Sequence, residues 1–264
     1  MAKSKIGKFP ELQSVEILDD DLELDSGKSG ILVYRYMPFA YAEEAVASNE
    51  ITLVSPEKWE DPFERRFFNG NYSKLGFAPK PLACGCFTTE HGINEAAAWK
   101  FYGAGGTGVQ LAIDFEKLLD SLDRYAQEIG AKVYVKKADY RYERAELESA
   151  GTDSFLKGVN LESFGDRDFV RLAGLKRRAF AFENELRVVV YGEKVALDNG
   201  LLKIPLEKGT VRTLKCNPYF KVRSLSGAAQ ERVKNYFKGY GVTFECSRLY
   251  SEESVSRFMP ALKK

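Results

Sequence analysis

Residues 182–191, Phe-Glu-Asn-Glu-Leu-Arg-Val-Val-Val-Tyr, form the clearest strand pattern in the chain and commit it to a sheet with one charged face. Alternation along a strand sends Phe182, Leu186, Val188 and Val190 to one side and Glu183, Glu185 and Arg187 to the other. Two carboxylates about 7 Å apart along a strand repel each other unless cations or a ligand lie between them, so the arrangement costs stability unless it is compensated. Either Arg187 neutralises one glutamate on a surface face, or the pair lines a cleft. In a cleft, one carboxylate can grip a substrate hydroxyl while the other orients a nucleophile or faces a transition-state cation.

The segments around this strand alternate β and α patterns irregularly. Residues 31–36, Ile-Leu-Val-Tyr-Arg-Tyr, read as a strand ended by Pro38, with Arg35 set among residues otherwise suited to a core. A short helix over 40–47 and a strand over 51–54 follow. Trp59 to Glu64 reads as a turn at the Asp61-Pro62 step, yet its aromatics and acids require something to hold them. Residues 82–88 predict a strand in which Ala83, Cys84, Gly85 and Cys86 permit close backbone approach. Residues 94–102 predict a helix with Ala98, Trp99 and Tyr102 on its apolar side, stopped by Gly103.

The glycine-rich run from Gly103 to Gly108 precedes a strand over 109–115, whereas a phosphate-cradling loop follows a strand and opens a helix. It is therefore read as a plain turn. The strand it feeds has apolar odd positions, the pattern of a half-buried strand. An amphipathic helix over 116–128, a strand over 133–140 and a polar surface stretch over 143–154 come next. A helix over 166–178 closes on Lys176-Arg177-Arg178, a trio that suits a helix C-terminus because it complements the dipole. Further strands are read at Ile204, over 211–215 and over 242–246, with a helix marked by Val233, Tyr236, Phe237 and Tyr240 before the last. Residues 1–29 read as a lead-in arm, 30–250 as a single domain and 251–264 as a tail. The fold class is α+β, with a central, mostly antiparallel sheet, split or strongly bent, and flanking helices.

Composition narrows the chemistry. The 39 basic and 38 acidic residues leave a formal charge of +1, which excludes a general polyanion grip. One histidine, His91, removes any metal site needing two imidazoles. The four cysteines, at 84, 86, 216 and 246, are not spaced as a zinc knuckle and read as reduced, buried thiols. No run approaches the roughly 18 apolar residues of a membrane helix, and the opening residues lack the apolar stretch of a secretory signal, which points to the cytoplasm. Carboxylates, arginines, hydroxyls and aromatics remain to carry function.

Tyr34-Arg35-Tyr36, Trp59 to Glu64, Cys86-Phe87-Thr88, Trp99 with Tyr102, Gly108-Val109 and Phe182-Glu183-Asn184-Glu185-Leu186-Arg187 look, in order and spacing, like the domain of unknown function 2971 family of bacteria and phages. That resemblance spans about residues 31–249 and implies no activity by itself. More distantly, an arginine on the first strand, an aromatic followed by hydroxyls on a middle strand and Glu-x-Glu on a later one resemble ADP-ribosyltransferases of the Arg-Ser-Glu type. The match is to Arg35, Phe87-Thr88-Thr89, and Glu183 with Glu185; the middle motif departs from the usual Ser-x-Ser.

This second resemblance implies NAD as substrate, with no metal required, in ADP-ribosyl transfer or NAD glycohydrolysis by a toxin or phage-defence effector. Arg35 would hold a phosphate, Thr88 would brace Glu185, Glu185 would bind the ribose hydroxyl and face the oxocarbenium-like state, and Glu183 would orient the acceptor. Tyr34, Tyr36, Phe87, Trp99 and Tyr102 would contact the dinucleotide, although aromatics at such spacings also build cores. Partners are then NAD or another nucleotide and a macromolecular acceptor, nucleic acid included, with the Lys176-Arg177-Arg178 patch as a candidate contact. Two alternatives belong to other classes: a Mg²⁺-dependent nuclease using Asp61, Glu64, Asp114, Glu183 and Glu185, and a non-catalytic nucleotide- or protein-binding module. The enzyme expectation requires Arg35 and the Glu183/Glu185 pair to border one open hollow. As a bland alternative, Arg35 pairs with one of those glutamates as a structural brace.

Overall fold

The computed structural model describes residues 2–5, 12–19, 22–27, 30–70, 72–89, 95–104, 107–142, 163–218, 227–247 and 249. In chain order the strands are β1 (Ala2–Lys5), β2 (Val15–Ile17), β3 (Glu23–Gly27), β4 (Gly30–Pro38), β5 (Glu50–Val54), β6 (Leu82–Thr88), β7 (Gly108–Asp114), β8 (Lys132–Lys137), β9 (Asp139–Tyr142), β10 (Leu175–Arg177), β11 (Glu185–Tyr191), β12 (Leu201–Pro205), β13 (Val211–Cys216) and β14 (Thr243–Cys246). The α-helices are α1 (Phe39–Ser48), α2 (Pro62–Phe68), α3 (Glu95–Tyr102), α4 (Phe115–Ile129), α5 (Asp166–Leu172) and α6 (Gly227–Gly239). Among the described residues the chain is thus a mixed α+β protein, as its patterns predict.

One sheet runs in the order β14-β13-β7-β4-β6-β11-β8-β2, with β3 and β5 branching from it. Most pairs are antiparallel; β2 with β8 and β13 with β14 are parallel. The sheet is split at β4. That strand is paired with β7 from Leu32 to Pro38 but with β6 only at Tyr34↔Thr88, while β6 meets β5 at Val54↔Cys84. Arg35 spans this fork: its guanidinium donates to the Thr52 carbonyl of β5 at 2.7 Å.

Helices cover both faces. Val33, Phe87, Leu111, Ile113, Leu186, Val188 and Leu214 pack one face against Val46 of α1, Leu118 and Leu122 of α4, and Phe237 of α6. On the other face Cys84, Tyr134, Val189 and Tyr191 pack against Phe67 of α2 and Phe169 and Val170 of α5. The amphipathic pattern of α4 explains its buried Leu118, Leu119, Leu122 and Ala126, and its ends are fixed locally. Asp114 accepts from the Lys117 backbone N–H at 3.2 Å, and Gly130 closes the helix in the left-handed region at φ 67°.

Several expectations change. The Asp61-Pro62 step starts α2 rather than a loop, because Asp61 accepts from the Phe63 N–H at 2.9 Å and proline suits the first helical position. The strand read as half-buried, β7, is buried on both faces; Gln110 is accommodated by donating to the Tyr36 hydroxyl at 2.7 Å. Described parts of the arm join the sheet: β2 pairs with β8, and Leu22 and Leu24 enter the core. Gly103 and Gly108 are closely packed, since a Cβ on Gly103 would stand 2.1 Å from the Trp99 carbonyl oxygen and one on Gly108 would stand 2.6 Å from the Gly103 carbonyl carbon. His91, residues 143–154 and the 251–264 tail lie outside the described residues.

Candidate active site

Directly paired residues of neighbouring strands project to the same side of a sheet. Tyr34 of β4 pairs with Thr88 of β6, and Thr88 pairs with Glu185 of β11, so the three share a face. Phe87 pairs with Leu186 on the opposite face. Arg35, one residue from Tyr34, points with Phe87, its guanidinium carbon 5.9 Å from that ring. Strand parity therefore starts Arg35 and Glu185 on opposite sides of the sheet, with Arg35 at the β4/β5 fork. Among the described residues no ion pair joins Arg35 to Glu183 or Glu185; it is the clasp across the β4/β5 fork, and burial lowers its pKa. Phe87 is core.

β11 begins only at Glu185. Arg178–Glu183 form a 3-10 turn, and Asn184 takes a left-handed φ of 41°, a conformation asparagine tolerates better than most residues. Asn184 also donates to the Thr89 hydroxyl at 3.1 Å. Glu183 and Glu185 thus converge through a turn, not through the strand alternation expected of 182–191. They meet at Lys176. Its ammonium lies 2.7 Å from Glu185 Oε2 and contacts Glu183 Oε2, which makes it a buried bridge and not a solvated helix cap. The expected helix over 166–178 stops at Leu172, and Gly174 is closely packed: a Cβ there would stand 1.8 Å from Lys136 Cε. The chain turns at that point into β10.

Deeper in, Arg187 is 1% exposed. Its guanidinium donates to Glu64 at 2.5 Å, to Glu185 at 3.0 and 3.2 Å, and to the Ala173 carbonyl at 2.5 Å, and it lies 4.4 Å from the Trp59 ring centroid. This explains why the Trp59 to Glu64 segment carries its acids and aromatics. The Tyr140 hydroxyl accepts from the Glu185 backbone N–H at 2.8 Å.

Burial alone would raise the Glu185 carboxyl pKa, but Arg187 and Lys176 reverse this and hold it well below the usual carboxylate range. Burial also pushes Glu183 up; Lys176 opposes that push, the Glu185 charge reinforces it, and the net direction is upward. The Cys86 thiol is pushed up by a hydrogen bond with the free Cys84 thiol, by burial and by Glu185. The pair is thus differentiated: an ionised inner carboxylate and an outer one that holds its proton more readily.

The outer end meets a rim of aromatics. The Tyr102 hydroxyl donates to Glu183 Oε1, Tyr102 and Phe101 are 41% and 62% exposed, and Phe101 packs on Phe182 at 5.3 Å. Arg177 lies over the Phe180 ring at 5.1 Å and pairs with Asp61 at 2.9 Å. Tyr34 and Trp99 are buried, and Trp99 meets Tyr36 edge-on at 4.8 Å while donating to Glu95 at 2.9 Å. Of the aromatics expected to touch a dinucleotide, Tyr102 is the clearly exposed one.

The acids considered for Mg²⁺ are each held by a side-chain cation rather than turned to a shared metal position. Lys176 and Arg187 bridge Glu64, Glu183 and Glu185, Arg177 takes Asp61, and Arg212 takes Asp114 at 2.6 Å. No group of three or more potential ligands is placed to hold a metal ion among the described residues. Sequence reasoning groups Glu64 with Glu183 and Glu185 as an acidic set but misses Lys176 and Trp59 as members of the cluster. Gly174, a helix stop two residues before Lys176, was the available signal.

A family model described as a protein of unknown function (DUF2971) matches residues 98–188, which run from within α3 to within β11 and include the Glu-x-Glu-x-Arg block. Over that stretch the family resemblance is borne out. No curated protein matches the chain. Among solved structures the chain is similar to Thermus sp. 2.9 DarT in complex with NAD+, at 8% identity and a TM-score of 0.33, covering 83% of this chain and 96% of that one. The same protein in complex with carba-NAD+ gives 9% identity, a TM-score of 0.32, and 83% and 95% coverage. In complex with ADP-ribosylated ssDNA it gives 10%, 0.32, and 85% and 97%. Among the described residues no helix is long and apolar enough to cross a membrane.

Proposed function

We propose that the chain consumes NAD at the Glu185 end of this face, transferring ADP-ribose to an acceptor or to water. The observation that carries the reading is the row Tyr34, Thr88 and Glu185 across three adjacent strands, ending in a carboxylate kept ionised beside a second one that is not so held. As the bond between ribose C1′ and the nicotinamide nitrogen breaks, positive charge grows on the ribose, and a fixed, desolvated carboxylate stabilises it more than water would. Glu185 supplies that charge. The acceptor oxygen bonds to C1′, its proton passes to Glu183, and nicotinamide leaves with the bonding pair. With water as acceptor, the same step is NAD glycohydrolysis.

Thr88 braces the strand end at Glu185, and Tyr102 offers a stacking surface at the rim. Arg35 is assigned no role in this reading, its guanidinium being engaged with the Thr52 carbonyl at the β4/β5 fork. Arg177, whose side chain is 38% exposed, is the cation this side presents to a phosphate. A nucleic-acid acceptor is compatible with the aromatic and basic rim.

One observation favours a second reading: Glu185 is 6% exposed, as a purely structural ion cluster would be. In that case the chain is a binding module and Glu185 is a brace. Calorimetric titration with NAD, together with nicotinamide release by the parent and Glu185→Gln, separates the two. Turnover lost in Glu185→Gln with binding retained supports the enzyme; binding without turnover in either protein supports the module.

A further inference from the structure

We propose that Lys176 is a positioning residue of this site, the cation that bridges Glu183 and Glu185 and fixes their separation. The inference rests on the NAD-consuming reading above.

Two cations touch Glu185, and their other commitments differ. Arg187 is bound inward to Glu64, to the Ala173 carbonyl and to the face of Trp59, so its position is set by the core. Lys176 contacts both carboxylates, with Nζ 5.4 Å from the Phe180 ring centroid. A lysine that merely capped a helix would keep its ammonium in water; this side chain is 9% exposed. Glu64, Arg187, Glu185 and Lys176 form a charge-balanced set, and Glu183 is the carboxylate added at its outer edge.

Every element packed around Glu185 adds a group that bears on its titration. These are Lys176 from β10, Arg187 from β11, Cys86 from β6, Tyr140 from β9, Glu64 from α2, Tyr102 from α3 and Glu183 from the 3-10 turn. The thiol and the two phenols all titrate above their ordinary values, so they are neutral where the carboxylates ionise. Without Lys176, one cation would face three carboxylates, and like charges would drive a proton onto the Glu183/Glu185 pair.

The test is a carboxyl titration by NMR on protein carrying ¹³C-labelled glutamate, with Glu185→Gln and Glu183→Gln to assign the signals. It is run on the parent, Lys176→Met, Lys176→Gln and Lys176→Arg, beside the pH profile of nicotinamide release. Losing an opposite charge at this distance moves a carboxyl by about 1–3 pH units. Lys176→Met is expected to raise the Glu185 titration by that amount and to carry the acid limb of turnover with it, and Lys176→Arg to restore both. Lys176→Gln keeps a donor without charge and is expected to behave as Lys176→Met, which preserves the test if methionine disrupts folding. A folded neutral variant whose Glu185 titrates as in the parent overturns the assignment, as does an unmoved acid limb; neither touches the NAD reading. Absence of nicotinamide release from the parent overturns the NAD reading, and the positioning role with it.

Discussion

Arg187→Met is expected to be the most destabilising single change in the charged cluster. Methionine keeps much of the stem's volume but deletes a guanidinium that serves Glu64, Glu185 and the Ala173 carbonyl and lies against Trp59. Lys176 would then be the remaining cation for three carboxylates that sit largely out of water. Removing one partner of a buried ion pair costs about 3–5 kcal/mol, since the stranded charge keeps its desolvation penalty. That is a large fraction of the roughly 5–15 kcal/mol that holds a typical folded protein together. With a urea slope near ~3 kcal/mol/M, the unfolding midpoint should fall by about 1–1.7 M. The cycle with Glu64→Gln supplies the internal control: the double variant should lose less than the sum of the singles, because one stranded charge has been removed as well. A loss below about 1 kcal/mol in Arg187→Met, with additive behaviour in the cycle, would refute the claim that this network is buried and mutually dependent.

Arg35→Met should cost only about 1–2 kcal/mol in the same urea assay, because Arg35 gives up a bond to the Thr52 carbonyl and leaves no buried carboxylate behind; a loss as large as that of Arg187→Met would contradict its assignment as a clasp. Gly103→Ala should lower stability by about 1–3 kcal/mol or prevent folding, since the added methyl meets the Trp99 carbonyl oxygen at 2.1 Å, and an unchanged melting temperature would be inconsistent with the packed turn. Acid sensitivity should trace to Glu185. Its folded pKa is depressed, so its stabilisation is present above the unfolded carboxyl value near ~4.3 and is lost as pH falls through the lower folded value. Glu183 has the opposite sign: its raised folded pKa contributes below the unfolded value and is lost as pH rises. Urea midpoints measured across the acid range should therefore fall less steeply in Glu185→Gln than in the parent, and equal slopes would count against the depressed carboxyl.

How much of the fold the residues disclose depends on how local the determining interactions are. α4 was legible because its apolar stripe, aspartate cap and terminal glycine all lie within its own segment. β6 was legible down to its ends, and the shared side of Glu185 and Arg187 follows from alternation alone. Arg35 misled for a physical reason. Tyr34-Arg35-Tyr36 suits a strand buried on both faces, so the pattern does not say which parity faces Glu185; the pairing Tyr34↔Thr88↔Glu185 decides it, and that register is long-range. β7 misled in the same way, because its even positions include polar residues whose partners, Tyr36 for Gln110 and Arg212 for Asp114, come from other strands. Lys176 was hidden by treating the helix as continuous past Ala173-Gly174, which turned a buried bridge into an apparent cap.

Nicotinamide release from NAD by the parent, Glu185→Gln and Arg35→Met, each verified as folded, tests the central claim most directly. The face that carries Tyr34, Thr88 and Glu185 should be the working one, so Glu185→Gln should lose at least about a hundredfold, the scale of removing a group that stabilises developing charge. Arg35→Met should stay within a few-fold of the parent. Activity that survives Glu185→Gln but vanishes in a folded Arg35→Met would place the chemistry on the opposite face and contradict the account.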